Sequence, residues 1–410
     1  MKIKSIEIKS YRSCVDTKLE LNRELTTLIG VNGAGKSTLL NAVLLIKKAI
    51  ARKAHYKWAS SPRVSSNKCS FKLEIDYKKT SIYFKLDVFF NTDESNMDDV
   101  QDVEMFWDFS KLLNIKGWIE VPVEYIDMRS FGIWIEAGST SSAYAEKNKK
   151  KIDEVLPYIK EVLAFLSKTN YYSASQFSNP LKCPNFIELD DEQKLRRTYS
   201  ADTHEKFIYD LYKASVNEPQ KFKLYLNTVN KFGIGLIDGL VFKSVPIPSN
   251  SYRVLSGGKI KNIEKKRILV IPTFRIDSNR LSPNQLSEGT LRALALIYYI
   301  LNDESEILLV EEPEVGVHHG LLNSIIALVK AQSKNKQIVV STHSDLILDH
   351  LEPENLLLVK KEKERGTISR LLTKTLKKND YRALRKYLEE YGNLGDYLKE
   401  GGLSSEEYFK

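Results

Sequence analysis

The sequence predicts an α/β fold of the P-loop type, with an antiparallel β subdomain and a mostly helical insertion. A glycine-rich motif follows a short β-prone run near the N-terminus and opens a helical pattern. From Ile268 onward, a second stretch shows the pattern strand, turn, helix, strand, helix, strand. Alternating strand patterns and then helical patterns separate the two, so both ends of the chain contribute to the α/β part.

The first element that carries chemistry is a strand followed by a phosphate-binding motif. Leu25–Ile29 is a compact β-prone run, and the residues 30–37, GVNGAGKS, fit G-x-x-x-x-G-K-[ST] before a helical pattern over 36–52. In such a loop the backbone N–H groups surround phosphate oxygens, Lys36 reaches the β and γ phosphates, and the Ser37 hydroxyl is placed for Mg²⁺. The motif therefore predicts ATP and Mg²⁺ as cofactors.

The middle of the chain is predicted from periodicity. Residues 70–137 contain cleanly alternating strands, and helical patterns follow at about 146–168 and 204–232 without a sustained heptad repeat. Two basic clusters, Lys147 to Lys151 and Lys259 to Arg267, are candidate contacts for a nucleic-acid backbone, and solvated surface is the alternative for each.

A buried strand then delivers two carboxylates. Ile307–Val310 is apolar and is followed directly by Glu311 and Glu312. Ligands of α/β sheets bind at the carboxyl ends of the strands, so Glu311 is expected to hold Mg²⁺ through its waters and Glu312 to act as general base toward the attacking water.

Two further positions have an ordinary structural explanation beside a functional one. His343 follows the β-prone run 337–341 and could contact a γ-phosphate at a strand end. Ser287 and Gly289 open an apolar helix whose N-terminus could bind an anion, and Ser287 alone is an ordinary helix cap.

A P-loop, a long insertion, a serine-glycine helix start, a double-glutamate strand and a strand-end histidine follow one another in this chain, and together they resemble the ATP-binding-cassette ATPases. Leu286 to Thr290 is similar to the signature sequence of that family, and His343 matches its switch histidine; Glu311 stands where its members usually carry aspartate. Tyr11-Arg12-Ser13 and the P-loop resemble the DNA-repair and chromosome-maintenance branch. The residues 311–314, 317–318 and 341–344 resemble more narrowly the ATPases of the overcoming-lysogenisation-defect family and its phage-defence relatives. The resemblance covers residues 1–45 and 265–350.

The resemblance implies a site and a mode of action. Nucleotide-binding residues would be Arg12, Asn32, Gly33, Gly35, Lys36, Ser37 and Thr38, and catalytic residues Glu312 and His343. Ser287 and Gly289 of one protomer would close over the Lys36 site of another, so that ATP promotes a head-to-tail dimer or larger homo-oligomer. The metal ligands would be Ser37, Glu311 and, as candidate Q-loop residue, Gln176, for which a plain loop glutamine is the alternative.

Several functional readings stay open. The first is the ATPase component of a prokaryotic anti-phage complex that acts with a separate effector protein. The others are a RecF-like DNA-binding repair ATPase, a transporter subunit, which the long insertion disfavours, and a non-hydrolysing scaffold. We see no Asp-x-Asp nuclease motif after His343.

The amino-acid composition limits which of these functions are possible. The chain has 410 residues, 42% of them hydrophobic, and a formal charge of +9, which permits nucleic acid without requiring it. Its longest apolar stretch, Ala293 to Leu301, is far shorter than the ~20 residues that a bilayer span requires, and residues 1–4 lack a signal-peptide h-region. The three cysteines are far apart in the sequence, a pattern that does not indicate a disulfide framework. We expect a cytoplasmic protein without a membrane partner.

The expected organisation has five segments. They are 1–69, the N-terminal part of the ATPase head; 70–137, the antiparallel β subdomain; 138–264, a mostly helical insertion; 265–359, the C-terminal part of the head; and 360–410, a charged tail. In the tail, Tyr381, Leu384, Leu388 and Tyr391 recur at helical spacing. This stripe packs on the chain's own head in one reading and contacts an effector or a neighbouring protomer in the other.

Overall fold

The computed structural model describes residues 1–51, 68–90, 100–113, 115, 117–121, 143–190, 195, 203–254 and 260–399. Residues 122–137 of the expected β subdomain lie outside the described residues, and so do the side chains of Lys147 and of residues 259–266 in the two basic clusters. The chain divides into two compact units. The first contains residues 1–172, 304–312 and 329–410, and the second contains residues 173–303 and 313–328.

The first unit is built on a mixed sheet in which twelve strands are described. In order across the sheet they are β7 (Ile119–Glu120), β6 (Val100–Asp108), β5 (Thr80–Phe90), β4 (Lys68–Tyr77), β1 (Lys2–Tyr11), β2 (Cys14–Glu20), β16 (Gly366–Leu371), β15 (Leu356–Glu362), β3 (Leu25–Ile29), β14 (Gln337–Thr342), β13 (Ile307–Glu311) and β8 (Thr169–Ser173). The predicted α/β fold with an antiparallel β part is thereby confirmed.

The parallel strands bring the predicted motifs to one edge of this sheet. β14 pairs with β3 on one side and with β13 on the other, both in parallel. In this register Ser341 is opposite Leu28 and also opposite Glu311. The loop after β3 and the carboxylates after β13 therefore leave the sheet at the same level, as the strand pattern predicts.

Helices cover the sheet and complete the core of the unit. They are α1 (Lys36–Ala51), α2 (Ser110–Leu113), α3 (Ala143–Ser167), α8 (Asp345–Leu348), α9 (Leu372–Thr375), α10 (Lys378–Glu390) and α11 (Leu394–Lys399). α1 packs against α3, and their buried aliphatic side chains share one hydrophobic cluster with the inner faces of the strands. This burial fixes α1, and with it the loop at its N-terminus.

The second unit combines helices with a long β-ribbon. Its helices are α4 (Thr203–Asn217), α5 (Pro219–Val229), α6 (Glu288–Asn302) and the first part of α7 (His319–Ser333), and its strands are β9 (Ile187–Leu189), β10 (Gly239–Val254), β11 (Ile260–Ile276) and β12 (Asn279–Leu281). Buried aromatic contacts, such as Tyr225 against Tyr298, join α5 to α6.

Two sequence expectations differ from this unit. The single helix over 204–232 is two helices, because Pro219 has no N–H to continue α4 and instead occupies the first turn of α5. The helical insertion to residue 264 ends in the β10–β11 ribbon. Pro246 and Pro248 lie in β10, which has a neighbour on one side only among the described strands, and prolines in sheets are found on such edge strands.

No helix in the described residues is both long and apolar enough to cross a lipid bilayer.

Candidate nucleotide-binding site

A cavity of about 590 Å³ opens in the first unit at the loop between β3 and α1. All seven sequence-predicted nucleotide-binding residues line it, together with Ser13, Lys361 and Glu312. The lining residues are Arg12, Ser13, Asn32, Gly33, Gly35, Lys36, Ser37, Thr38, Glu312 and Lys361.

The glycines of the loop are needed for two different reasons. Gly33 and Gly35 have φ values of +79° and +108°, which residues with side chains rarely adopt. A Cβ on Gly30 would lie 2.2 Å from the Val359 carbonyl oxygen, and one on Gly35 would lie 2.1 Å from Thr367 Oγ1. The loop is therefore curled at its tip and pressed against β15 and β16 at its two ends.

Backbone carbonyl groups of the loop hold the side chain of Lys36 in place. Its ammonium donates hydrogen bonds to the carbonyl oxygens of Gly30, at 2.6 Å, and Val31, at 3.2 Å, and the residue is only 6% exposed. The N-terminus of α1 follows at the same place and adds the positive end of the helix dipole. This arrangement favours an anion above the loop, as in phosphate-binding sites of this motif.

A chain of hydroxyl groups forms the wall next to the loop. Thr367 Oγ1 lies 2.8 Å from Ser13 Oγ and donates to the Ala34 carbonyl oxygen at 3.2 Å, and Ser13 Oγ lies 3.3 Å from Thr38 Oγ1. The neighbouring Arg12 has φ +51°, and its Nε is buried without a hydrogen-bond partner in the described residues. A buried donor of this kind fits an anionic ligand.

Glu312 faces this cavity from the end of β13. Its φ of +47° is in the left-handed region, and its N–H donates to the Ser341 carbonyl oxygen at 2.9 Å. A glutamate in this conformation costs on the order of 1–3 kcal/mol, so the surrounding structure holds it there. His343 Nδ1 lies 3.5 Å from Glu312 Oε1. The structure therefore brings together both residues that the sequence proposes as catalytic.

The residues near Glu311 fit a magnesium ion. Glu311 ends β13, and the Tyr171 hydroxyl donates a hydrogen bond to its carboxylate. Ser341, opposite Glu311 in the register, has a buried hydroxyl oxygen without a hydrogen-bond partner among the described residues. No group of three metal-ligating side chains is described, and Mg²⁺ bound to a nucleotide commonly needs only one or two protein oxygens. Ser37 and Glu311 are the residues that would supply them.

The remaining candidates belong to the second unit. Ser287 is the N-cap of α6, and its side chain accepts a hydrogen bond from the Thr290 N–H at 3.1 Å, so its ordinary capping role is real. Gly289 is pressed against the loop after β13, because an added Cβ would lie 2.5 Å from the Gly316 carbonyl oxygen. Gln176 is exposed in a 3₁₀ turn that follows β8, the strand next to β13.

Sequence reasoning missed three residues of the first unit. Thr367 and Lys361 lie on the C-terminal hairpin, far along the chain from the loop that they flank, and Tyr171 contacts Glu311 from a neighbouring strand. Only Tyr171 had a sequence signal, because it opens the run Tyr171-Tyr172-Ser173 that leads into the candidate Q-loop residue Gln176.

A family model described as "AAA domain, putative AbiEii toxin, Type IV TA system" matches residues 25–349. The chain belongs to this family. The match runs from β3 past His343, so it includes the P-loop, Ser287 and Gly289, the Glu311–Glu312 pair and His343, whereas Tyr11-Arg12-Ser13 precedes it. Membership in this AAA-domain family, together with the loop geometry, makes the protein a P-loop ATPase by fold.

Solved structures of SMC head domains are also similar to this member of the AAA-domain family. One is titled as an SmcHead bound to the C-winged helix domain of ScpA, with 12% identity, a TM-score of 0.49, and coverage of 90% of this chain and 97% of that chain. An SMC head domain from Thermotoga maritima has 13% identity, a TM-score of 0.45, and coverage of 90% and 99%.

A third similar structure is a Pyrococcus furiosus Smc head with an extended coiled coil, bound to the C-terminal domain of ScpA. It has 14% identity, a TM-score of 0.45, and coverage of 95% of this chain and 100% of that chain. No protein with curated annotation matches the sequence.

Proposed function

We propose that the protein binds ATP with Mg²⁺, hydrolyses it, and uses the cycle to change its oligomeric or partner state. The observation that carries this proposal is the cavity in which the Lys36 loop, the Arg12 side chain and the Glu312 carboxylate face one ligand volume. Three cationic side chains and a helix N-terminus supply the charge that a polyphosphate needs.

The proposed reaction assigns a role to each group. The P-loop backbone and Lys36 hold the β and γ phosphates, and Glu312 accepts the proton of the attacking water. Bound Mg²⁺ would neutralise developing phosphate charge, with Ser37 and Glu311 as its protein ligands. His343, whose Nδ1 lies 3.5 Å from Glu312 Oε1, would orient that carboxylate and contact the γ-phosphate.

Separate measurements of binding and turnover test this function. Lys36→Ala should abolish tight ATP binding, whereas Glu312→Gln should bind ATP and hydrolyse it on the order of a hundredfold or more slowly. Glu306→Gln is the matched control, since Glu306 precedes the same strand at its other end and is 41% exposed. If Glu312→Gln hydrolyses ATP like the parent, the general base is a different residue.

The biological setting is proposed from the resemblance and from the family. A cytoplasmic ATPase that works with a separate effector in anti-phage defence agrees with the motif order and with a family whose description names a toxin system. Head-to-tail contact would place Ser287 and Gly289 of one protomer over the Lys36 site of the next. Affinity purification from the native host with mass spectrometry tests this setting: a co-purifying effector supports it, and DNA binding that responds to ATP without an effector would favour the repair reading.

A further inference from the structure

Lys361 is a cation of the nucleotide cavity that no sequence motif identifies. It lies on β15, it is exposed, and its side chain lines the same cavity as Lys36 and Arg12. Among the described residues its side chain makes no ion pair and no hydrogen bond. Most surface lysines on this sheet have a carboxylate partner, for example Lys68 with Asp87 at 2.9 Å, so a partnerless lysine beside a phosphate-binding loop is distinctive.

The hairpin that carries Lys361 is fixed to the loop at two points. The Val359 carbonyl oxygen packs against Gly30, and Thr367, the cross-strand partner of Lys361, donates to the Ala34 carbonyl oxygen. The Thr367 N–H also donates to the Ser13 carbonyl oxygen at 2.6 Å. The backbone at Lys361 is therefore held in place, and only its side chain has to reach a ligand.

The order of strands shows which end of a nucleotide Lys361 would meet. β3, which leads into the P-loop, has β15 on one side and β14 followed by β13 on the other. Glu312 and His343, the residues proposed for the γ-phosphate, follow β13 and β14. A nucleotide whose γ-phosphate lies at Glu312 has its α-phosphate on the opposite side, near Thr38 and β15.

We propose that Lys361 is a binding residue for the α-phosphate side of a nucleoside di- or triphosphate, supplied by the C-terminal hairpin. The inference rests on the proposed function, because it takes ATP as the ligand. A lysine acts here as a point charge on a flexible stem, so it attracts phosphate without demanding one geometry. Because ATP and ADP share the α-phosphate, Lys361 stabilises both alike.

The test measures ATP and ADP affinity by calorimetry at low salt in the parent, Lys361→Met, Lys361→Arg and the control Lys363→Met. Lys363 is an exposed lysine in the turn of the same hairpin and does not line the cavity. Lys361→Met should bind both nucleotides ~3–30-fold more weakly, with the difference shrinking as salt rises. Lys361→Arg should restore most of the affinity, and Lys363→Met should bind like the parent. Melting temperatures without nucleotide should agree among all four proteins.

The outcomes separate this inference from the proposed function. Unchanged affinity of Lys361→Met for both nucleotides overturns the inference alone, and so does a loss confined to ATP, which would place Lys361 at the γ-phosphate. A parent protein that binds neither nucleotide overturns the proposed function itself.

Discussion

Thr367 and Ala34 are separated by 333 positions in the sequence, and yet the Thr367 hydroxyl donates a hydrogen bond to the Ala34 carbonyl oxygen at 3.2 Å. The phosphate-binding loop is thus completed by the C-terminal hairpin. The position of Thr367 also explains why the loop has glycine at residue 35, because any side chain at Gly35 would collide with Thr367.

We expect Thr367→Val to destabilise the phosphate-binding loop, although valine has nearly the same volume as threonine. The variant loses the hydrogen bonds to Ala34 and Ser13, which should cost about 1–3 kcal/mol in the free energy of unfolding and lower ATP affinity several-fold. Ser369→Ala is the control, because Ser369 makes a similar bond from the same hairpin, to the Lys18 carbonyl oxygen. Urea denaturation and nucleotide titration of both variants check this. Equal ATP affinity in the two would contradict a role of Thr367 at the loop.

The order of residues along the chain explains which parts of this site the sequence could predict. The P-loop and the Glu311–Glu312 pair are contiguous, and each follows an apolar strand, so local pattern and known chemistry suffice. Thr367 and Lys361 depend on β15 pairing with β3, which joins residues more than 300 positions apart. No local signal reports such a pairing.

In the fold, too, the elements with a strong local sequence pattern were predictable and the others were not. The strands around the P-loop were predictable because apolar runs and alternation dictate them. The break at Pro219 had a clear local signal, since the residue before a proline disfavours helix, and periodicity alone overlooked it. The β10–β11 ribbon has a weaker pattern, because lysines, serines and two prolines interrupt its alternation.

His343→Ala should slow hydrolysis while leaving nucleotide binding intact. The imidazole contacts Glu312 Oε1 from 3.5 Å and is itself 42% exposed, so its loss removes an orienting partner and little buried surface. We expect a decrease of ~10–100-fold in the single-turnover rate. His350→Ala is the control because His350 lies on the same connection, outside the cavity lining. If His343→Ala hydrolyses ATP at the parent's rate, Glu312 needs no orientation by His343 for hydrolysis.

Ser287→Asp separates helix capping from a signature role. Aspartate caps α6 as well as serine does, so the melting temperature should hold. If Ser287 faces a neighbour's phosphates, the added charge should abolish turnover. Mixing this variant with Lys36→Ala should then restore about one competent site per mixed dimer, provided that protomers exchange. If Ser287→Asp hydrolyses ATP as fast as the parent, Ser287 serves only as the N-cap of α6.

Asp87 should make stability depend on pH in the acid range. Its side chain is 2% exposed, and although burial alone would raise its pKa, hydrogen bonds from Ser70, Lys68 and Lys85 outweigh burial and hold the pKa below its ordinary value. A lowered pKa means that this stabilisation is present above the unfolded pKa of about 4 and is lost as pH falls below it.

The variant that tests this is Asp87→Asn, which should lose about 1–3 kcal/mol of unfolding free energy at pH 7 and change less than the parent between pH 5 and pH 3. Asp16→Asn is the control, since Asp16 is 67% exposed in its pair with Lys9 and should matter little. Urea denaturation at several pH values gives both quantities. Parallel pH profiles of parent and Asp87→Asn would exclude Asp87 as the source.

The C-terminal tail docks on its own unit through one end of the predicted stripe. Leu384 of α10 is fully buried, the Tyr381 hydroxyl donates to the Glu354 carboxylate, and Arg385 pairs with Glu352 at 3.1 Å. Burial alone would raise the pKa of Glu354, but the hydrogen bonds from Tyr381 and Arg385 lower it, which is the sign of a stabilising contact. At the other end of the stripe Tyr391 is 73% exposed.

The two ends of the stripe should therefore respond differently to substitution. Leu384→Ala should cost about 2–5 kcal/mol of unfolding free energy, and removing residues 376–410 should lower the melting temperature by several degrees, because both expose the surface that α10 covers. Tyr391→Ala should leave the melting temperature unchanged, since its ring is already solvated. If Tyr391→Ala nevertheless loses a co-purifying protein or a higher oligomer in light scattering, the exposed end binds a partner. A truncated protein that keeps the parent's melting temperature would contradict the docking itself.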